Sequence, residues 1–236
     1  KLSGLLPIPF FFLAALRTLP TWHGRIRLTL ATAAAALVVV AAAFLPYGSP
    51  IALLVRLVRA AGSTGYSLLA AITLAAQQLG FVPDRSLLAA GGILALVLVA
   101  LWLAWRTWRG RSAQRAAADI NVAYPLLSLG FRIWYAAWPF PWLVLDAPDV
   151  PADPTRAARD RWMAEFRLRA GIWYLLTTQL SVLIYGPVRI ALLGQSLYLA
   201  HLIGVAFAFG LPLLLAWFGA TRAIGRQDAD DAAPAG

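Results

Sequence analysis

Long apolar runs, separated by short segments that hold most of the charges, dominate this sequence. Of its 236 residues, 61% are hydrophobic and 13% are charged, whereas a soluble domain averages about 45–50% apolar and about 25% charged residues. A run of about 20 apolar residues crosses the hydrocarbon core as a helix, because a helix pairs its backbone polar groups within the segment. The pattern therefore predicts an all-α, polytopic integral membrane bundle that forms one membrane domain.

The positions of the apolar runs predict about six transmembrane helices. The predicted spans cover residues 2–16, 28–45, 86–105, 116–145, 169–185 and 197–218. The first run reaches only about 23 Å, which is less than the roughly 30 Å hydrocarbon core. Since the sequence opens with Lys1, we expect further residues upstream. The polar, Ala- and Pro-rich segment 219–236 is predicted to be a disordered tail.

Residues 51–80, between the second and third spans, do not fit a membrane span. Arg56 and Arg59 lie three residues apart on one face of an apolar segment, which is typical of an amphipathic helix in the membrane interface. A glycine-containing break at 62–65 follows, and residues 66–80 form a shorter apolar segment. Its length favours a re-entrant or interfacial helix over a spanning one.

Arginine-rich loops set the expected orientation. Residues 17–27 hold three arginines and residues 106–115 hold four, and such loops lie in the cytoplasm of bacterial multi-pass proteins. This placement predicts a protein of the bacterial cytoplasmic (inner) membrane. It puts residues 51–80, the loop 146–165 and the end of the sixth span on the outer side.

The same topology separates three charged side chains. Asp119 is expected to cap the start of the fourth span on the inner side. Arg167 and Arg169 precede the fifth span and are expected to anchor it at the outer interface.

The composition also bears on cofactors and partners. Cysteine is absent and only His23 and His201 are present, so the sequence predicts no metal site and no cofactor of its own. A bis-histidine haem needs two facing ligands, whereas His23 lies in a basic loop and His201 in an apolar run. The 20 Lys and Arg residues outnumber the 10 Asp and Glu residues. Because these charges flank apolar runs, membrane lipids are the expected partner, and nucleic acid is not.

The segment FRIWYAAWPFPW, residues 131–142, is the richest in aromatic residues. It contains Trp134, Tyr135, Trp138 and Trp142. One interpretation is an aromatic belt at the outer membrane interface. The other is a wall that binds a lipid-linked or sugar substrate. The prolines in this segment interrupt the helix, and irregular backbone at membrane depth occurs where protein or water covers it, which favours a nearby cavity.

Several charged residues are candidates for contacts with a substrate. Arg132, Arg56 and Arg59 either extend to the membrane surface or hold a lipid phosphate, since a cation within the bilayer needs a partner. Asp146 ends the fourth span and is a weak candidate for a general base, although single loop carboxylates are usually only solvated. The sequence contains no metal-ligand spacing and no phosphate-binding glycine loop.

From Lys1 to about Phe218, the order of features resembles the later half of a bacterial polyprenol-phosphate-dependent glycosyltransferase of the GT-C superfamily, similar to the mannosyltransferases. The resemblance rests on KLSGLLPIPFFFLAAL, a basic loop, a span ending in FLPYG, the stretch GYSLLAA and, above all, FRIWYAAWPFPW. Phe131, Trp134, Tyr135 and Trp138 match an F-x-P-W-Y-x-x-W-like motif of this family. An isoleucine stands where the family has its proline.

This resemblance implies that a sugar is transferred from a polyprenol-phosphate donor on the extracytoplasmic face. The aromatic segment would line the donor pocket, and Arg132, Arg56 or Arg59 would hold the lipid phosphate. The family's catalytic acid lies in an early outer loop that no part of this sequence matches, so this chain would be an incomplete or inactive transferase.

An alternative function follows from the same composition. A helical bundle without cofactor ligands is typical of an accessory or structural subunit of a larger membrane complex, such as a respiratory or photosynthetic electron-transport assembly. Its partners would then be other membrane subunits.

Overall fold

In the computed structural model the chain is built from α-helices. The structure describes residues 5–44, 52, 67–128, 130, 133–145 and 154–232. The helices are α1 (Ile8–Thr18), α2 (Trp22–Phe44), α3 (Leu68–Gln78), α4 (Arg85–Trp108), α5 (Ala113–Leu127), α6 (Pro139–Leu145), α7 (Pro154–Leu183), α8 (Arg189–Ala191), α9 (Leu197–Val205) and α10 (Leu211–Ala232). A 3₁₀ turn precedes α6, and π-helical turns at Ile184–Val188 and Ala206–Gly210 follow α7 and α9. These described residues include no β-strand, which fits the all-α prediction.

Three helical stretches are long and apolar enough to cross a membrane. They are Trp22–Ala42, Arg85–Trp108 and Leu197–Ala223, with 21, 24 and 27 residues. At 1.5 Å per residue they measure about 32, 36 and 41 Å, and each exceeds the roughly 30 Å hydrocarbon core. They coincide with the second, third and sixth predicted spans. Among the described residues, the structure thus supports three spans of this kind rather than six.

The other predicted spans take different forms. The first becomes the 11-residue α1, which begins directly after Pro7. The fourth, residues 116–145, is divided among α5, the 3₁₀ turn and α6. The fifth, residues 169–185, is the apolar second half of α7, whose first half is strongly charged.

Both arginine-rich loops lie at the same end of the bundle. Arg17, in the last turn of α1, donates from Nη1 to the backbone oxygen of Thr107, 3.3 Å away. The guanidinium of Arg25 lies 5.6 Å from the ring centroid of Trp108. We call this end, which holds Arg17, Arg25 and residues 106–115, the basic end.

From the basic end, α5 and α6 form a hairpin that enters the bundle and turns back. In the middle of α4, Gly92 lies against the backbone carbonyl of Leu127 at the end of α5, so α5 extends about 21 Å from the basic end. After the 3₁₀ turn, the ring of Trp142 lies 5.3 Å from that of Phe11 on α1. Phe11 is only about 9 Å along α1 from Arg17, so α6 runs back toward the basic end.

The helices α7 and α10 pack antiparallel along much of their length. The rings of Trp162 and Trp217 meet edge to face at 4.9 Å. Twelve residues later in α7, the ring of Tyr174 lies 5.4 Å from that of Phe209, which precedes α10. These contacts fix which parts of α7 and α10 lie at the same level.

An ion pair corrects the expected topology. Arg167 donates to Asp119 across 2.7 Å, although the sequence placed these residues on opposite sides of the membrane. The physical reason is the α5–α6 hairpin, which returns to the end from which it started. The part of α7 that holds Arg167 therefore lies at the level of Asp119 in α5.

The C-terminal segment also differs from the prediction. The sequence predicted a disordered tail over 219–236, whereas α10 continues to Ala232. Alanine has the highest helix propensity of all residues, and this segment is alanine-rich, so the helix extends beyond its apolar part.

Helix α2 lies at the surface of the bundle. None of the residues in its candidate span is buried inside the structure. Its apolar side chains at residues 37–40 are 44% to 70% exposed. Within the described part of the chain, α2 is therefore a surface helix whose apolar side chains require lipid or another protein as neighbours.

The start of α4 gives a pH-dependent prediction. Asp84 is its N-cap residue, and one carboxylate oxygen accepts from the hydroxyl of Ser86, from the Ser86 amide and from the Leu87 amide. The Ser86 hydroxyl, followed by the two amides, lowers the pKa of Asp84 below its ordinary value. A lowered pKa means that the cap is present at neutral pH and is lost as the pH falls through that lowered value.

The intrinsic rate of amide hydrogen exchange itself changes with pH. We expect the first-turn amides of α4 to exchange faster below the pKa of Asp84 than this intrinsic change accounts for. The substitution Asp84→Ala should raise exchange at these amides already at neutral pH and abolish the additional pH dependence. Hydrogen exchange with mass spectrometry checks both results. Equal protection in the variant and the natural protein would contradict the capping role.

Candidate functional site

A cluster of three charged side chains lies at the basic end. Asp119, on α5, accepts from Arg111 through Oδ2 and from Arg167 through Oδ1, the latter at 2.7 Å. Arg111 precedes α5, and Arg167 lies near the middle of α7. The three side chains are 16% to 28% exposed, so water screens them less than it screens a surface pair. We call them the Arg–Asp–Arg cluster.

Several arginines surround Arg111. Burial lowers the pKa of Arg111, the Asp119 carboxylate raises it, and the nearby Arg167, Arg115 and Arg106 lower it again. Arginine nevertheless stays protonated, so this pattern reports unfavourable burial of Arg111 and repulsion between it and the neighbouring arginines.

An apolar cavity of about 540 Å³ extends from the cluster. Asp119 and Arg167 are its charged lining residues. The rest of the wall comes from α5, α6, α7, α10 and the π-helical turn before α10. It includes Pro125, Leu143, Phe166 and Phe209.

The cavity opens toward the side of the bundle. Of its lining residues, Val122 and Leu126 on α5, Met163 on α7 and Leu213 on α10 are 37% to 54% exposed. In a lipid environment this side faces acyl chains. A hydrocarbon chain can therefore enter laterally between α5 and α10.

The opposite wall of the cavity is closed. Tyr174 on α7 packs against Phe209, with ring centroids 5.4 Å apart. Gly171 allows Leu143 of α6 to approach α7 closely, because a Cβ at this glycine would overlap the Leu143 side chain. The site is thus a dry apolar compartment with charges at one end.

Several of the substrate contacts predicted from the sequence cannot be placed. Arg56, Arg59, Arg132 and Asp146 all lie outside the described residues. The backbone of Trp134 belongs to the 3₁₀ turn before α6. The aromatic side chains of this segment whose contacts the structure describes are therefore Tyr135, Trp138 and Trp142.

The aromatic segment packs inside the hairpin. Tyr135 stacks on Trp138 with ring centroids 4.3 Å apart, and Tyr124 of α5 lies 6.0 Å from each of them. Tyr124 is only about 8 Å along α5 from Asp119. This position does not suit a belt at the end opposite the arginine-rich loops.

The predicted role of the aromatic segment as a substrate-binding wall stays a prediction. Pro139 belongs to the segment and lines the cavity, as does Leu143 just after it. Tyr135 and Trp138 stack on each other beside the turn from which α6 begins, and they are not among the described lining residues of the cavity.

A second polar group lies deeper in the bundle. His201 on α9 is 3% exposed. Its Nδ1 is 3.1 Å from the Tyr185 hydroxyl, and its Nε2 is 3.4 Å from the Ser67 backbone oxygen. Because a carbonyl oxygen only accepts, Nε2 donates to Ser67, and Nδ1 forms a second hydrogen bond with the Tyr185 hydroxyl. His201 therefore joins α9 to the cap of α3.

The structure also separates the two histidines. His23 lies in the first turn of α2. His201 lies about 24 Å along the helix from Trp217, and Trp217 is at the level of Trp162. The two cannot ligate one haem. Among the described residues, no three His, Cys, Asp or Glu side chains are grouped so as to hold a metal ion.

No protein-family model, curated protein or solved structure matches this chain. The resemblance to GT-C glycosyltransferases therefore stays a prediction from the sequence. The geometry of the cluster and cavity is the basis for a functional proposal.

Proposed function

We propose that this chain is a multi-pass protein of the bacterial cytoplasmic membrane that binds an anionic lipid. Its head group would lie at the Arg–Asp–Arg cluster and its hydrocarbon chain in the adjoining cavity. One observation carries this proposal: an apolar cavity ends at Asp119, which pairs with the guanidinium groups of both Arg111 and Arg167.

The chemistry of the cluster favours a phosphate head group. Arginine presents a planar fork of donors that matches the oxygens of phosphate, and its charge-assisted hydrogen bonds are roughly twice as strong as neutral ones. Arg111 and Arg167 come from different parts of the chain, so a single anion between them would also link the start of α5 to α7.

The form of the cavity favours a lipid over a free anion. Its wall is apolar beyond Asp119 and Arg167, and its open side is flanked by exposed apolar residues. A small hydrophilic anion would leave this volume unfilled. An alkyl or isoprenoid chain would fill the cavity and pack against its apolar wall, and within the bilayer the gain comes from van der Waals packing.

The arginine-rich loops give the proposed orientation. The positive-inside rule places the basic end in the cytoplasm, so the lipid head group would belong to the inner leaflet. The resemblance implies the same ligand class, a polyprenol phosphate, but places sugar transfer at the outer face. Sugar transfer by this chain stays a prediction, and lipid binding does not depend on it.

A second candidate function is supported by α2. A subunit of a larger membrane complex needs an apolar surface for its partner, and the candidate span of α2 has no buried residue. If α2 binds a partner, mild-detergent extraction should recover the chain in a larger complex. Migration as a single chain on native gels would contradict this role.

Retention of lipid during purification tests the proposed function. We expect native mass spectrometry to detect one retained anionic phospholipid on the protein purified in mild detergent. In exchange experiments, the protein should retain phosphatidic acid at least about tenfold more strongly than phosphatidylcholine with the same acyl chains, a difference of about 1.4 kcal/mol.

Two controls define this experiment. An excess of inorganic phosphate should not displace the lipid, because phosphate alone gains nothing from the apolar cavity. Equal retention of phosphatidic acid and phosphatidylcholine would contradict the proposal.

A further inference from the structure

We propose that Asp119 occupies the position of the ligand's phosphate in the lipid-free protein, and that the lipid binds by displacing it. In this role Asp119 selects for head groups that carry more negative charge than one carboxylate, such as phosphomonoesters. This inference rests on the proposed function and adds the regulation and ligand class of the same site.

The geometry of Asp119 resembles that of a bound anion. Each carboxylate oxygen accepts from a different arginine, Oδ2 from Arg111 and Oδ1 from Arg167. Two oxygens of one phosphate would make the same pair of contacts. Asp119 and Arg167 both line the cavity, and Asp119 also pairs with Arg111.

Displacement of the carboxylate requires movement of one side chain and not of the backbone. Ala118 and Ile120, on either side of Asp119, are fully buried, and so are Ala116 and Ala117 in the preceding turn. The backbone of α5 is therefore held in place by packing. The Asp119 side chain is 28% exposed and changes its contacts by rotating about χ1 and χ2.

The charge balance gives the selectivity. An incoming head group competes with the Asp119 carboxylate for Arg111 and Arg167. A phosphodiester carries one negative charge and gains little by replacing a carboxylate of equal charge. A phosphomonoester carries about −1.5 to −2 near neutral pH, so it competes better for both guanidinium groups.

The substitution Asp119→Asn tests this inference. It removes the competing charge while nearly preserving the shape of the side chain. We expect the variant to bind phosphatidylglycerol, a phosphodiester, at least about tenfold more tightly than the natural protein does. The preference for phosphatidic acid over phosphatidylglycerol should shrink accordingly. Weaker or unchanged binding of phosphatidylglycerol by a folded variant would overturn the inference.

Asp84→Asn is the matched control, because Asp84 is at the opposite end of α4 and asparagine also caps helices well. It should bind both lipids as the natural protein does. Asp119→Glu retains the charge and should retain the preference for the monoester.

If Asp119→Asn does not fold, the natural protein still decides the question. Equal affinity for phosphatidic acid and phosphatidylglycerol with the same acyl chains would overturn the inference, and a clear preference for phosphatidic acid would support it. Failure of the proposed function looks different, since the natural protein would then bind neither anionic lipid better than phosphatidylcholine.

Discussion

Replacing Gly92 with alanine is expected to destabilise the protein by about 1–3 kcal/mol, as overpacking of a filled interior does. A Cβ at this position would overlap the carbonyl oxygen of Leu127, and it would also lie 3.4 Å from the Leu69 side chain. A backbone carbonyl at the end of α5 cannot turn away as a side chain does. The helices α4 and α5 would have to separate.

The neighbouring Gly91 provides a matched control, because nothing lies within 4 Å of a Cβ added there. Both substitutions gain the same helix propensity of roughly 1 kcal/mol in α4. The difference between the two variants therefore isolates the contact with Leu127. Thermal unfolding of the purified proteins in one detergent should show a lower midpoint for Gly92→Ala than for Gly91→Ala. Equal midpoints would show that α4 and α5 do not pack as described.

The substitution Arg167→Gln is expected to weaken binding of phosphatidic acid roughly tenfold to a hundredfold. Arg167 lines the cavity and is one of the two cations on Asp119. A hydrogen bond to a charged group contributes about 1.5–3 kcal/mol, and each 1.4 kcal/mol corresponds to a factor of ten. Glutamine retains a polar side chain but removes the charge.

Arg169→Gln is the control for this prediction. Arg169 lies on the same helix and pairs with Glu165 at 2.9 Å, outside the described lining of the cavity. Titration of both variants with phosphatidic acid in detergent checks the result. If both lost the same affinity, general surface charge rather than the cluster would account for binding.

The helical membrane character of the chain was predictable because it depends on local composition. The apolar runs at 28–45, 86–105 and 197–218 coincide with the three candidate spans of the structure. Hydrophobicity summed over a window detects such runs, because each of them is longer than the hydrocarbon core is thick.

The hairpin was not predictable in the same way. Residues 116–145 are long and apolar enough to suggest one span, yet α5 ends at Leu127 and α6 returns. Hydropathy does not indicate direction, so a helix that crosses and a hairpin that returns have similar profiles. The prolines signalled an interruption but not a reversal.

The charged cluster depends on contacts between distant residues. Asp119 and Arg167 are separated by 48 positions, and each has an ordinary local explanation, as a helix cap or an interface anchor. In the structure Ser112, not Asp119, caps α5. The informative signal in the sequence was a carboxylate beside an apolar run, which needs a partner if the segment is buried.

The exposure of α2 has a consequence for biogenesis. A helix whose span buries no residue against protein gains its place in the bilayer mainly from its own transfer free energy, independently of later association between helices. The described part of the chain buries none of the candidate span of α2. We therefore expect α2 to enter lipid before the helices that form the cavity are synthesised, so that those helices fold beside a segment that is already in the membrane.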